Sequence, residues 1–502
     1  MTGKNHNGEQ GVALVFTLFL MAALSALAVS LMFLAQTETA STRNYRTMSQ
    51  ARYAGEAGVH KAINYLVNTY PVPTSIPAGF DATKSPVELG GSPVVLSAIT
   101  GVSSNYSDSA VVSAFNTAAQ GTLAVGTGTV NYAASATLVS IRQVTVYGGG
   151  SGLIQTWQIT ADGTVPGAMP ATVEVTAMLE RNFVSADTYA IFATGPGCGA
   201  IDLRGNMHTD SYNSTAMTMS GGVPVTTASG GAVGTNGNLA ITGAVGVNGN
   251  LDTPRTGVGD CTAGTPTALS AGGTATVSGS IVQLPQPKVY PTPTLPSPLP
   301  PTSSLSIGGS SCLTIALAIS PAICTGTGNN LTITTSGSTP LSLGNVTLGA
   351  NVNLTVQYGV GGAPSTGTVA LNVNSFTQNS GAKITLGTNT AVTMNVVGTG
   401  QATPLDLSGG GFVNGSFDPS KFQILYAGTG AIELTGGSGA AVTVYAPNAA
   451  VTMHGNADIY GSILSKTFID TGGATVHYDT SLSTKFFTLG NYVMTSFSWK
   501  KY

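Results

Sequence analysis

From Val12 to Leu34 the chain runs VALVFTLFLMAALSALAVSLMFL without a charge, and polar residues then begin abruptly at Thr37, Glu38, Arg43, Arg46 and Arg52. A helix over the apolar run is about 34 Å long, enough to cross the hydrocarbon core of a bilayer. A cleavable secretory signal has a shorter apolar core and a small-residue cleavage site, so this run predicts a span that is retained. No proline interrupts the following AQTETASTRNYRTMSQARYAGEAGVHKAINYLVNTY, in which Tyr45, Met48, Tyr53, Ala57, Ile63 and Leu66 recur at three-, four- and five-residue spacings. The pattern predicts one continuous helix over 12–70, half in the membrane and half amphipathic in water. Pro71, Pro73 and Pro77 end it by removing donors and disfavouring helix before them.

The period then changes from helical to two. ATLVSIRQVTVY, GLIQTWQITADGTV and ATVEVTAMLERNF, between Ala136 and Phe183, alternate apolar and polar residues across GGGSG and PGAMP turns. They predict a small antiparallel sheet within 71–184. Beyond it come short apolar pulses such as NLTITT, KITLG and AVTVYA, bounded by Gly, Asn, Ser or Asp. GAVGTNGNL at Gly231–Leu239 and GAVGVNGNL at Gly243–Leu251 are identical at eight of nine positions. This texture predicts strands stacked in a solenoid over 185–482, with 483–502 as a tail. Coils of about 20 to 45 residues would number roughly six to fourteen. The expected fold is thus α+β but mostly β, ending in a right-handed parallel β-helix-like solenoid; a β-sandwich or jelly roll is the alternative. LPQPKVYPTPTLPSPLPP, from Leu284 to Pro301, lacks too many donors to join a ladder and predicts a polyproline II loop crossing the solenoid, with a docking ligand as the other reading.

Composition narrows the chemistry. Only 7% of residues are charged, 66 are Gly and the net charge is −3, so no basic stripe exists to hold nucleic acid. Between Asp260 and Asp406 there is no acidic residue and only Lys288 and Lys383 are basic, which argues against hydrolysis on a solenoid face. The remaining candidates are Asp202, Arg204, His208 and Asp210, and His454 and Asp458 with His477 and Asp479; most flank Gly-Asn turns, where side chains cap backbone groups. No metal or cofactor motif appears: the NGN repeats lack the Asp ligands of calcium-binding nonapeptides, and no phosphate loop is present. Four cysteines, Cys198, Cys261, Cys312 and Cys324, permit disulfides in an exported chain, with Cys312 and Cys324 the favoured pair and free buried cysteines the alternative.

Gly11 followed by Val12, Ala13, Leu14 and Val15, and later Ala51, Arg52, Tyr53, Ala54, Gly55, Glu56, Ala57, Gly58 and Val59, carry a family resemblance. The first 60 or so residues resemble the PilX-type N-terminal domain of minor type IV pilins and pseudopilins; Ala54, Glu56, Ala57 and Gly58 fall in its stem signature. The resemblance implies a leader of residues 1–11, cut after Gly11 by a prepilin peptidase, and methylation of the new amino terminus on Val12. It also implies a stem that stays in the inner membrane as a single span and associates with other pilins and the pilus assembly machinery, with the bulk of the chain periplasmic, extracellular or on a pilus. Major pilins carry Glu at the fifth mature position, where Phe16 stands here, and this departure points to a minor or tip subunit. The leader offers only Lys4 and His6 against Glu9, a weak orientation signal. A plain single-pass anchor is the alternative for this segment.

Less specifically, Tyr445, Ala446, Pro447, Asn448, Ala449, Gly455, Asn456, Ala457, Ile459, Tyr460, Gly461, His477, Tyr478 and Asp479 resemble an uncharacterised β-solenoid-like envelope domain found behind PilX-type N-termini. The leading expectation is a non-enzymatic minor pilin-like subunit displaying a β-solenoid for assembly or adhesion, with a surface glycan or an environmental surface as a further partner. A membrane-tethered carbohydrate-binding or carbohydrate-active protein using His454, Asp458, His477 and Asp479 is the second, and a filament-forming pilin the third.

Overall fold

The computed structural model describes residues 9–126, 128–148, 151–167, 170–308, 312, 322–337, 339–435, 440–455 and 458–501. The chain is mostly β, with one long apolar helix at its N-terminus. It divides into two compact units, residues 1–143, 153–182 and 491–502 in the first and 144–152 and 183–490 in the second. The change of texture expected near Val184 thus falls beside this division, but the hairpin tip at 144–152 also belongs to the second unit.

In the first unit helix α1 runs unbroken from Glu9 to Asn68, and its last turn closes with the amides of Thr69 and Tyr70 on the carbonyl of Tyr65. Strands Gly128–Thr145, Ser151–Val165 and Ala171–Ser185 form a sheet, the last two pairing antiparallel from Thr156–Glu180 to Val165–Ala171. The buried side of α1 agrees with the expected one in part: Leu66 is buried and Met48, Ala57 and Ile63 are half-buried against the core, but Tyr45 and Tyr53 are exposed, and Ala51, Ala54, Val59, Ala62 and Tyr65 are also buried. Small side chains win that face because the helix lies very close to the sheet: a Cβ on Gly55 would sit 2.7 Å from Val175 Cγ2, and one on Gly58 3.0 Å from Ala161 Cβ. A ten-residue helix α2, Ser109–Ala118, is capped by Asp108, whose carboxylate accepts from the amides of Ala110 and Val111, and buries Val111 and Phe115. The expected tail of 483–502 is instead largely a strand, Phe487–Lys501, beside Ala171–Ser185 at the end of this sheet, because its alternating apolar side chains and free backbone complete the ladder.

The second unit is a stack of parallel strands in successive rungs. One apolar column runs Leu341, Leu371, Met394, Ile424, Val444, Ile463, Ile191, Val233, Leu251, Ile281, each residue in register with the next. A second runs Leu305, Val346, Phe376, Leu405, Ile432, Val451, Phe468, Ile201, Leu239, Leu269. A third face stacks Leu331, Leu354, Ile384 and Phe412 in one part and Ile459, Val476, Thr209, Val247 and Val277 in another. Within each of the two segments, 341–463 and 191–281, neighbouring members of the first column lie from 18 residues apart, Val233 to Leu251, to 42, Ile191 to Val233. The columns face inward and merge in one continuous core, except at the last rung, where Ile281 is exposed.

Sequence order and stacking order differ. Residues 304–479 descend the stack, and the rung that follows them in space is 191–212, after which the stack continues to 283. The Pro-rich stretch joins the two far ends as a strap along the outside. Its course is fixed at Lys288, whose amide donates to Asn236 Oδ1 and whose carbonyl accepts from Asn236 Nδ2, at Pro291, whose carbonyl accepts from Tyr445 Oη, and at Thr302, whose carbonyl accepts from Asn345 Nδ2. Where Tyr290 of the strap crosses the stack, four successive outward positions, Leu425, Tyr445, Leu464 and Phe192, are apolar and buried. The strap therefore runs lengthwise and is part of the packed structure.

The GAVGxNGNL repeat is one strand and corner used twice within a coil. In the first copy the corner leads from the Val233 strand to Leu239 on the second face, and in the second copy from Val247 on the third face to Leu251 on the first. The Asn residues tie rungs together, Asn238 Nδ2 donating to the carbonyl of Thr267 and Asn250 Oδ1 accepting from the amide of Ser280. Both cysteine pairs are disulfides, Cys198–Cys261 and Cys312–Cys324.

Candidate functional site

Two places hold the residues that the sequence singles out. The first is the stem. Val12 to Leu34, Phe16 among them at 74% exposure, present their side chains outward all round α1, as an unpartnered membrane or assembly helix does. Gly11 and Val12 lie within the helix rather than at its start; residues 1–8 of the expected leader lie outside the described residues. In the signature stretch, Ala54 is buried, and Gly58 faces Ala161 and Tyr132. Glu56 accepts from Arg52 Nε at 2.8 Å, and the Arg52 guanidinium lies 5.3 Å from the ring centre of Trp499. The stem signature is thus a packing device: small residues let the helix approach the sheet, and an exposed Arg–Glu pair steadies its flank.

The second place is the meeting of the two segments of the stack, where rung 458–479 lies on rung 191–212. His477 and Asp210 are in register there, with His477 Nδ1 2.5 Å from Asp210 Oδ1. Asp458 lies 3.9 Å from His477 Nε2, and the Tyr460 ring stacks on the imidazole at 4.4 Å. Burial alone would lower the pKa of His477, but the hydrogen bond to Asp210 and the charges of Asp210 and Asp458 push it up to about 9. The nearby His477 imidazolium holds Asp458 below the usual carboxylate range. His477 is therefore an imidazolium clamped between two carboxylates of different segments. In the same meeting, Asp187 is fully buried, its Oδ1 accepting from Ser462 Oγ at 3.4 Å and its Oδ2 without a partner, and desolvation pushes its pKa up to about 7.

The remaining candidates disperse. Asp479 Oδ1 accepts from the amides of Ser481 and Ser214, a cap. His454 pairs with Glu433 at 2.5 Å, and Arg204 with Asp202. His208 stands in register with Thr475 and joins neither group. Among the described residues no three His, Cys, Asp or Glu side chains are placed to hold a metal. Tyr445, Tyr460 and Gly461 have structural work: Tyr445 holds the strap, Tyr460 covers His477, and Gly461 adopts φ +147° where a Cβ would strike the carbonyl of Val442. Asn456 and Ala457 lie outside the described residues. The Asp187 environment was missed in the sequence, where TYAIFA gives no sign of a buried carboxylate; Lys288, which donates to Tyr189 Oη while Tyr189 donates to Asp252, was equally silent.

Comparison with known proteins decides the first place. Residues 10–60 match the family model described as PilX N-terminal. The stem is PilX-like. The PilX-like segment is followed, over residues 323–485, by a match to a domain of unknown function, DUF7305, which takes in the larger part of the 304–479 segment and carries no assigned activity. No curated protein matches the sequence significantly. Among solved structures, the competence-associated pilin ComZ from Thermus thermophilus is similar over 91% of this chain and 98% of its own, at 12% identity and a TM-score of 0.29, too low to establish a common architecture.

Proposed function

We propose that the protein is a minor type IV pilin-like subunit that holds the stacked β unit outside the membrane for pilus assembly or adhesion, without catalytic turnover. The observation that carries the reading is the PilX-like stem: one helix, apolar and outward-facing from Val12 to Leu34, that then beds its small residues into a β-sheet. Prepilin peptidase cuts after Gly11, Val12 is methylated, and the helix remains in the inner membrane until assembly. Phe16 cannot offer the carboxylate that a neighbouring amino terminus would meet, which supports a place at or near a filament tip rather than along the shaft. The stack is read as a right-handed β-helix, since parallel strands joined by crossovers are right-handed in nearly all known cases. A structural role is supported by the occupations of its acidic and His residues, which cap turns or join the two segments. Immunogold labelling of sheared filaments tests this reading: label confined to ends and short complexes is expected, and regular label along shafts would overturn it.

A further inference from the structure

The strand Phe487–Lys501 stands at the end of its sheet, with Ala171–Ser185 on one side and no strand of the described residues on the other. Its first half is anchored: Tyr492 Oη donates to Gln155 Oε1 at 2.7 Å, and the Arg181 guanidinium lies 5.7 Å from the Tyr492 ring centre. Its second half is not covered. Every residue from Val493 to Lys500 is exposed, including Val493 at 54%, Met494 at 44%, Phe497 at 40% and Trp499 at 52%. From Phe487 to Trp499 there is no Asp, Glu, Lys, Arg or His. Soluble sheets blunt such edges with charge, brevity, a bulge or a cover, because a long flat apolar edge templates another strand. The other end of this sheet follows that rule with Val95–Ser97, three residues long and half-buried or buried.

We infer that this strand is a docking edge for an extended, uncharged strand of a neighbouring pilin-like subunit, which adds to the sheet. The inference rests on the pilin-like reading proposed above. The occupant follows from two features. From Val493 to Trp499, before Lys500 and Lys501 end the strand, the edge offers unpaired backbone and alternating apolar side chains but no charge, so a charged segment laid along this stretch would be desolvated without compensation, whereas a neutral strand gains ladder hydrogen bonds and packing. The edge is also continuous with the stem: Trp499 lies beneath Arg52 of α1, itself held by Glu56, so a subunit packed along the exposed side of the PilX-like helix meets this strand next.

The test places a photoactivatable crosslinking residue at Ser496 or Ser498 of the full chain in cells that assemble filaments, with Gln120 on another exposed strand as control. Crosslinks at least tenfold above the control, mapping to an extended segment of a pilin-like protein other than this chain, are expected. The pair Val493→Lys and Phe497→Lys should abolish them while leaving the thermal transition and membrane extraction unchanged. Crosslinks only to a second copy of this chain or to lipid, or crosslinks that survive both lysines, would overturn the inference. The same cells report whether the chain is processed and present in sheared filaments. A processed, filament-associated chain without crosslinks sinks the docking edge alone, and a chain that is neither processed nor in filaments sinks the pilin-like reading and the edge with it.

Discussion

A Cβ on Gly163 would strike the carbonyl of Ala51 and the amide of Gly55, because α1 lies directly on the strand that carries it. Gly163→Ala should therefore lower the stability of the first unit by about 1–3 kcal/mol, as overpacking does, while Gly128→Ala, where the nearest atom is 3.9 Å away, should stay within about 0.5 kcal/mol; urea unfolding of both variants checks this. His477 gives a pH dependence with a definite sign. Its pKa is raised in the folded chain, so its contribution is complete below about 6.5 and is lost as pH rises through about 9. Asp187 acts over a lower window: its folded pKa is raised to about 7, so the folded state binds the extra proton and stability falls as pH rises from about 4 to about 7. Thermal melts should thus show Asp187→Asn stabilising at pH 8 but not at pH 4, and Asp210→Asn flattening the decline between pH 6.5 and 9. His477, Asp210 and Asp458 were each visible in the sequence as candidates, yet in two separate groups. Their union spans 267 residues and depends on which rung lies on which, and no local pattern records that.

At the scale of elements, the long helix and the three strands after Ala136 were legible because period and charge both change at their ends. The buried face of the helix was legible at Leu66 and in part at Met48, Ala57 and Ile63, but the spacing also favoured Tyr45 and Tyr53, which are exposed, whereas close approach selects Ala and Gly, whose hydrophobic signal is weak. Helix α2 was missed, although Asp108 before an apolar run is a start signal. The strap was legible as a donor-poor segment on the surface, but its role as a packed cover was not. Tyr445 measures that role. Tyr445→Phe removes only the hydrogen bond to the carbonyl of Pro291 and should cost about 1 kcal/mol, while Tyr445→Ala empties the site under the strap and should cost about 3–5 kcal/mol. Hydrogen exchange across 286–296 distinguishes them, with rapid exchange expected only for the alanine variant.

For the whole molecule, the unexpected feature is that residues 304–479 stack ahead of 191–283, with the strap returning along the outside. The rungs turn the same kind of apolar residue inward, so the local pattern is indifferent to the order of stacking. The disulfides fall near the two ends this order creates. Cys324 lies in the strand Ile323–Thr327 that closes one end, and Cys261 lies in the loop whose Gly259 amide donates to Leu269 of the last rung. End rungs have a neighbour on one side only, so they are where a stack frays. Replacing both members of either pair by Ser should cost about 2–5 kcal/mol and raise hydrogen exchange at that end, while 441–479 in the middle stays protected. At the other end of the chain, the PilX-like stem supports the proposal of a processed pilin-like subunit. Mass spectrometry of the mature amino terminus, from cells with and without an active prepilin peptidase, tests it most directly. A chain beginning at N-methylated Val12 only when the peptidase is active is the predicted result, and an intact Met1 in peptidase-active cells would contradict it.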